Sequence, residues 1–245
     1  MSVLRAESVF LQTLDILSRQ PLPEISQEDL LAALNAGRLG PLPFLYEAGV
    51  EAGLPRQTLL TRAAAIYFNF CAGNLADDLM DSECTYLSEP FRLGPCVQYI
   101  LQTLCFQTLL DADLPSSVCS SFVRELVAAA GQQLVEVRTK QWSASLFREV
   151  AEGIAGCQWS AYMQILWCGT ALADRAARIG MNGGVAAHVV KDIKSQDLRY
   201  TTMPEADKRE IIAWAMAAAH ALREEHLRCL DALLLTIDPV LQEAS

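Results

Sequence analysis

The sequence predicts an all-α protein. Apolar residues recur at spacings of three and four along nearly the whole chain, and no segment alternates β-branched and polar residues between hairpin turns. Prolines fall where first helical turns should begin. The 245 residues are 52% hydrophobic and 20% charged, with 19 Lys and Arg against 29 Asp and Glu, a formal net charge of −10. Such a chain can bury a large core as one domain, residues 1–245, and is not intrinsically disordered. Its acidity and the absence of any basic run exclude nucleic acid as a partner class.

The first helix is expected over 3–19, stopped by Pro21 and Pro23, and the second over 27–36, where Ser26 with Asp29 three residues on forms an N-cap pattern. A third, over 42–52, precedes a long one over 56–80 that starts after Pro55. Pro90 opens 91–112, Pro115 opens 116–139, and a stretch over 144–178 follows with a break near Gly153 or Gly156. The last two helices are 184–198 and, after Pro204, 205–236. Residues 63–76, 93–110 and 153–173 carry no charge on any face, which a helix sustains when other helices surround it. About nine or ten helices in a single thick bundle satisfy that burial, and no internal repeat argues for a solenoid.

The 21 residues from Gly153 to Ala173 could cross a bilayer by length, but they hold Gln158, Ser160, Gln164, Thr170 and three glycines. A buried helix is expected there and no transmembrane segment. Cys71, Cys84, Cys96, Cys105, Cys119, Cys157, Cys168 and Cys229 form no CxxC pair and sit mostly among apolar residues, so they read as reduced core thiols. The first twenty residues lack the character of a signal peptide, and the expected location is the cytoplasm.

The chemistry concentrates in Asp77, Asp78 and Asp81. They follow the charge-free run Ala63 to Ala76, so three carboxylates arrive together at the end of a helix that should be buried. Asp77 and Asp81 are one turn apart, and Asp78 lies three residues before Asp81, within reach of a common point. A helix C-terminus already carries the negative end of the macrodipole, and no Lys or Arg follows until Arg92. A hard divalent cation relieves that charge, and Mg²⁺, which is commonly shared between one or two carboxylates and a substrate phosphate, suits it. The other reading is a solvated acidic helix end.

A second polar interruption, Lys191 to Arg199, follows the charge-free run Ile179 to Val190. On a continuous helix Asp192 and Gln196 share one face, and Lys191, Ser195 and Arg199 the neighbouring one. This segment reads either as the second wall of a cavity mouth or as a mixed-charge surface turn. His188 at its start is either a proton acceptor or a satisfied core histidine. Between the two acidic segments, Gly131 within a helical stretch, ahead of Gln132, Gln133, Glu136, Arg138 and Lys140, suggests close approach of a neighbouring helix or ligand.

These features together resemble the class I isoprenoid synthase superfamily, in particular the trans-polyprenyl diphosphate synthases. Asp77-Asp78-Leu79-Met80-Asp81 matches the DDxxD motif of that family, Gly131-Gln132 its GQ element, and Asp192 with Asp197 a degenerate second aspartate-rich motif. The resemblance covers roughly residues 30–236. It implies a helical bundle around a central apolar cavity that holds the tail of an allylic prenyl diphosphate of C10 to C20, with the diphosphate bound through Mg²⁺ at the mouth. Under it Asp77, Asp78 and Asp81 are catalytic, and Asp77, Asp81 and Asp192 bind metal. Gln132, Arg138, Lys140, Lys191, Lys194, Asp197 and Arg199 contact substrate. Phe68, Phe70 and Trp167 line the cavity or, as most aromatics do, pack the core. Ala72 and Gly73, five and four residues before the motif, either leave the tail pocket open or allow close helix packing.

Departures from the family pattern narrow the expected activity. Where chain-elongating members hold isopentenyl diphosphate with basic elements, this chain reads Gly37-Arg38-Leu39-Gly40-Pro41 and Ser82-Glu83-Cys84-Thr85-Tyr86. The expected enzyme therefore transfers its prenyl group to a different, hydrophobic acceptor. A compact subgroup, the prenyltransferases of the moenomycin pathway, is similar in size, in DDLMD and in Arg138-Thr139-Lys140. Terpene cyclases share the first motif, and Lys191-Asp192 with Arg199-Tyr200 resembles a squalene or phytoene synthase motif. A non-catalytic helical binding protein is the fourth reading. Relatives of this type often pair through their long helices, so a second copy of the chain is an expected partner.

Overall fold

Six helices begin at a proline: Pro23, Pro41, Pro55, Pro115 and Pro204 stand at N-caps, and Pro90 is the first residue of its helix. The computed structural model describes residues 2–37 and 40–245, with the side chains of all of these except 2–6 and 24–26. Among them no strand forms, and no helix is long and apolar enough to cross a membrane. The chain divides into two compact units, Met1–Leu114 and Pro115–Ser245.

The first unit consists of α1 (Ser2–Ser18), α2 (Glu24–Ala36), α3 (Leu42–Glu51), α4 (Arg56–Met80) and α5 (Pro90–Leu110). α4 is its axis and packs against all four others. Leu59, Ala63, Ile66, Tyr67, Phe68, Cys71 and Leu75 are buried along it, as its charge-free stretch requires. Pro55 is its N-cap, so the missing N–H of proline falls where no helical partner exists anyway. α2 starts at Glu24 after Pro23, earlier than the Ser26 pattern suggested, and the Ser26 side chain lies outside the described residues. Tyr67 donates its hydroxyl to the Leu34 carbonyl and ties α4 to the end of α2. α5 departs from expectation. Leu101, Leu104, Cys105 and Leu109 are buried, but Tyr99 and Leu110 are 75% and 81% exposed, so its apolar residues also form an outer face instead of being surrounded.

The second unit consists of α6 (Ser116–Arg138), α7 (Ala144–Ala151), a π-helical turn (Glu152–Gly156), α8 (Cys157–Trp167), α9 (Ala173–Ser195), α10 (Leu198–Thr201), α11 (Glu205–Arg223) and α12 (Arg228–Ala244). α9 is its centre and packs on α8, α11 and α12. The break expected near Gly153 or Gly156 is the π-helical turn, and small residues make it fit. A Cβ at Gly156 would lie 2.3 Å from Met181 Sδ, and one at Gly184 2.3 Å from the Ala155 carbonyl oxygen.

Three corrections concern boundaries, the first being that the helix expected over 184–198 is α9, which begins eleven residues earlier, at Ala173, and ends at Ser195. The expected helix over 144–178 ends at Trp167, because Gly169 takes a left-handed φ of +74° and Thr170 Oγ1 bonds both the Trp167 carbonyl and the Leu172 N–H. The expected 205–236 helix divides at His226, whose φ is +54°, and α12 runs on through Pro239. All eight cysteines are thiols, but Cys96 is exposed and only Cys71, Cys84, Cys105 and Cys229 are buried. Burial pushes the Cys71 thiol up to about 12, so it is unreactive near neutrality.

Candidate active site

The first aspartate segment closes α4. Asp77 and Asp78 are half-buried, and Asp81, at the C-cap with helical backbone angles, is exposed. That conformation keeps Asp77 and Asp81 one turn apart on the same face. Asp78 turns aside: its Oδ2 accepts a 2.8 Å hydrogen bond from the Tyr86 hydroxyl. The Asp78 carbonyl also accepts from the Glu83 and Cys84 N–H groups, at 2.8 and 3.1 Å, folding the following loop back onto the helix end. Burial, then the hydrogen bond and charge of Asp78, push the Tyr86 hydroxyl above the usual tyrosine range, so it stays a donor. Sequence reading missed Tyr86, whose only signal was its place eight residues beyond Asp78.

Behind the motif, Ala72 is buried, Gly73 half-buried, and Phe68 fully buried. Phe70 is half-buried against the loop after α2, where a Cβ at Gly40 would lie 2.7 Å from its ring. Arg38 and Leu39, in the stretch compared with a basic family element, lie outside the described residues.

In the second unit the polar segment differs from a continuous helix. α9 ends at Ser195, and Gln196 caps it in the left-handed region with φ +54°, so Gln196 leaves the face of Asp192. Arg199 likewise leaves the Lys191 and Ser195 face. The Asp197 N–H bonds the Asp192 carbonyl at 3.0 Å, and the chain reverses into α10, where Asp197 Oδ1 caps the Arg199 N–H at 2.7 Å. The reversal returns the Arg199 guanidinium to Asp192, whose side chain is fully buried. Arg199 also pairs with Glu136 of α6 and Asp197. His188 Nε2 lies 3.8 Å from Asp192 Oδ2, and its ring is tilted by 54° against that of Phe147 with the centroids 5.8 Å apart. Lys191 and Lys194 are exposed, as are Arg138 and Lys140. Trp167 is fully buried.

Gly131 is not the close-approach glycine. A Cβ there meets nothing within 4 Å, whereas one at Gly153 would lie 2.3 Å from Gln132 Cγ, so the π-helical turn, through its own glycine, makes room for Gln132. Gly131→Ala is therefore expected to stabilise the protein by up to about 1 kcal/mol, read as a rise in thermal midpoint.

As a donor set, Asp77 and Asp81 suit a cation that keeps waters and shares its shell with a substrate phosphate. Among the described residues no three His, Cys, Asp or Glu form a complete metal cage.

Comparison with solved structures decides what this helical arrangement is. A geranyltranstransferase of Thermotoga maritima superposes with TM-score 0.77 and 16% identity, over 99% of each chain. The fold is that of the class I isoprenoid synthases. A geranyltransferase of Legionella pneumophila matches with TM-score 0.73 and 16% identity, over 98% of this chain and 94% of its own. An isoprenoid synthase family member of Thermotoga neapolitana matches with TM-score 0.72 and 16% identity, over 98% of each. No protein-family model and no curated protein matches the sequence. The isoprenoid synthase fold thus extends over nearly the whole chain at an identity too low to carry residue roles, which rest on the chemistry of this chain.

Proposed function

We propose that the chain is a Mg²⁺-dependent prenyltransferase that ionises an allylic prenyl diphosphate of C10 to C20 and transfers the prenyl group to a hydrophobic acceptor other than isopentenyl diphosphate. The observation that carries this reading is the pair Asp77 and Asp81, on one face at the open end of the apolar helix α4, within an isoprenoid synthase fold. Mg²⁺, when bound, supplies charge neutralisation for the departing diphosphate. Asp77 and Asp81 hold it, and Asp78, oriented by Tyr86, steadies the turn beside them.

Names of the structural neighbours, geranyltranstransferase and geranylgeranyl pyrophosphate synthase among them, support prenyl transfer over cyclisation. The acceptor follows from charge. From Asp77 to Glu89 the chain offers no cation, and the first one, Arg92, is paired with Glu89 at 3.0 Å. A second diphosphate has nothing there to neutralise it. Exposed apolar residues at heptad spacing, Tyr99, Phe106 and Leu110 on α5 and Val127, Leu134 and Val137 on α6, support pairing with a second copy.

The test is product analysis with Mg²⁺ and geranyl, farnesyl or geranylgeranyl diphosphate, with and without a prenylated acceptor. Substrate should persist until the acceptor is added and then appear as a prenylated product. A volatile hydrocarbon formed without acceptor would assign cyclisation instead, and no consumption under any condition would overturn the enzymatic reading.

A further inference from the structure

The second acidic segment looks at first like a metal site, because three carboxylates, Glu136, Asp192 and Asp197, converge on one place from α6, α9 and the turn before α10. Five of their six oxygens accept a hydrogen bond or ion pair from a protein group, and the sixth, Asp192 Oδ2, is buried with His188 as its nearest charged neighbour. Asp197 Oδ1 accepts from Arg199 Nε at 2.8 Å and from its backbone N–H at 2.7 Å, and Oδ2 accepts from Nη2 at 2.9 Å. Asp192 Oδ1 accepts from Arg199 Nη2 at 3.3 Å, and Oδ2 faces His188 Nε2 at 3.8 Å. Glu136 Oε1 pairs with Arg199 Nη1, and Oε2 accepts from Gln133 Nε2 at 2.6 Å.

Resting on the prenyl diphosphate reading above, we propose that Arg199 is a positioning residue that takes the place of a metal ion in this segment, so that the chain binds divalent cations only at the α4 end. A hard cation such as Mg²⁺ needs a near-octahedral set of oxygens that it can approach closely. Asp192 has no exposed side-chain surface, and the side chains of Glu136 and Arg199 are 10% and 17% exposed. An ion entering here would have to displace a guanidinium that already holds all three carboxylates in a planar fork. That fork also joins α6 to the reversal between α9 and α10, and so fixes the ground from which Lys191 and Lys194 project.

The test counts bound Mn²⁺ by electron paramagnetic resonance, with and without inorganic diphosphate, in the wild type, D192N, D197N, R199Q and the double variant D77A/D81A. D197N keeps a side chain able to cap α10 and, like D192N, should bind as many Mn²⁺ as the wild type. R199Q should bind an additional Mn²⁺, and millimolar Mn²⁺ should raise its thermal midpoint by several degrees more than that of the wild type. Loss of Mn²⁺ in D192N or D197N, or an R199Q count equal to the wild type's, overturns the role of Arg199. Should R199Q not fold, the two Asn variants decide alone. An unchanged count in D77A/D81A would count against the first site instead, a separate outcome.

Discussion

Replacing Asp77 or Asp81 with alanine is expected to lower turnover of an allylic diphosphate by about a thousandfold or more, the scale on which enzymes depend on a group that stabilises developing negative charge. Stability should not fall with activity. Both carboxylates sit in the last turn of α4, where the helix dipole opposes negative charge, and Asp81 is exposed. Removing one acid there lifts an unfavourable dipole interaction of about 0.3–1 kcal/mol and also loses the contacts of that side chain, so the thermal midpoint should stay nearly unchanged. The measurements are diphosphate release under saturating Mg²⁺ and far-ultraviolet circular dichroism on heating. Asp78→Asn serves as comparator: its oxygen still accepts from Tyr86, so the reduction should be smaller. Wild-type turnover in both alanine variants would remove the site from the α4 end.

α4 was legible in the sequence to the residue, because Pro55 marks its start, a charge-free run its buried length and a burst of carboxylates its end. The same logic failed for 144–178. A run without charge says that a segment is buried, not that it is one helix, and the single left-handed Gly169 divides it. Near Asp192 the chain reverses at Gln196, a residue type that does not advertise a left-handed cap. Spacing therefore placed Arg199 on the wrong face. Its partnership with Glu136 joins residues 63 positions apart and depends on how α6 lies against the rest of its unit, which local pattern does not encode. The shared face of Asp77 and Asp81 could be read because the two residues are local to one another, though not the turning of Asp78 toward Tyr86. The second acidic segment could not be read.

A larger stability effect is expected where α8 and α9 meet. Gly180 and Gly184 lie one turn apart on α9, and a Cβ at Gly180 would fall 2.4 Å from the Trp159 carbonyl oxygen and 2.5 Å from Ser160 Cα. At Gly184 the obstacle is the Ala155 carbonyl oxygen at 2.3 Å. Both obstacles are backbone, so no side chain can swing away, and the helices must separate. Tyr162, Met163 and Trp167 on α8, with Ala186 and Val189 on α9, have no exposed surface, so a gap there forfeits dispersion contacts across the whole face. Gly180→Leu should cost at least about 3 kcal/mol, a fall of roughly 6–12 °C in thermal midpoint. The sharper contrast uses alanine. Gly131→Ala and Gly184→Ala gain the same helix propensity, about 1 kcal/mol, yet the first adds its methyl to open space and the second to a carbonyl oxygen. Their midpoints should therefore move in opposite directions, up for Gly131→Ala and down for Gly184→Ala. A rise in both would mean that propensity outweighs contact, and that the close approach at Gly184 does not depend on its lacking a side chain.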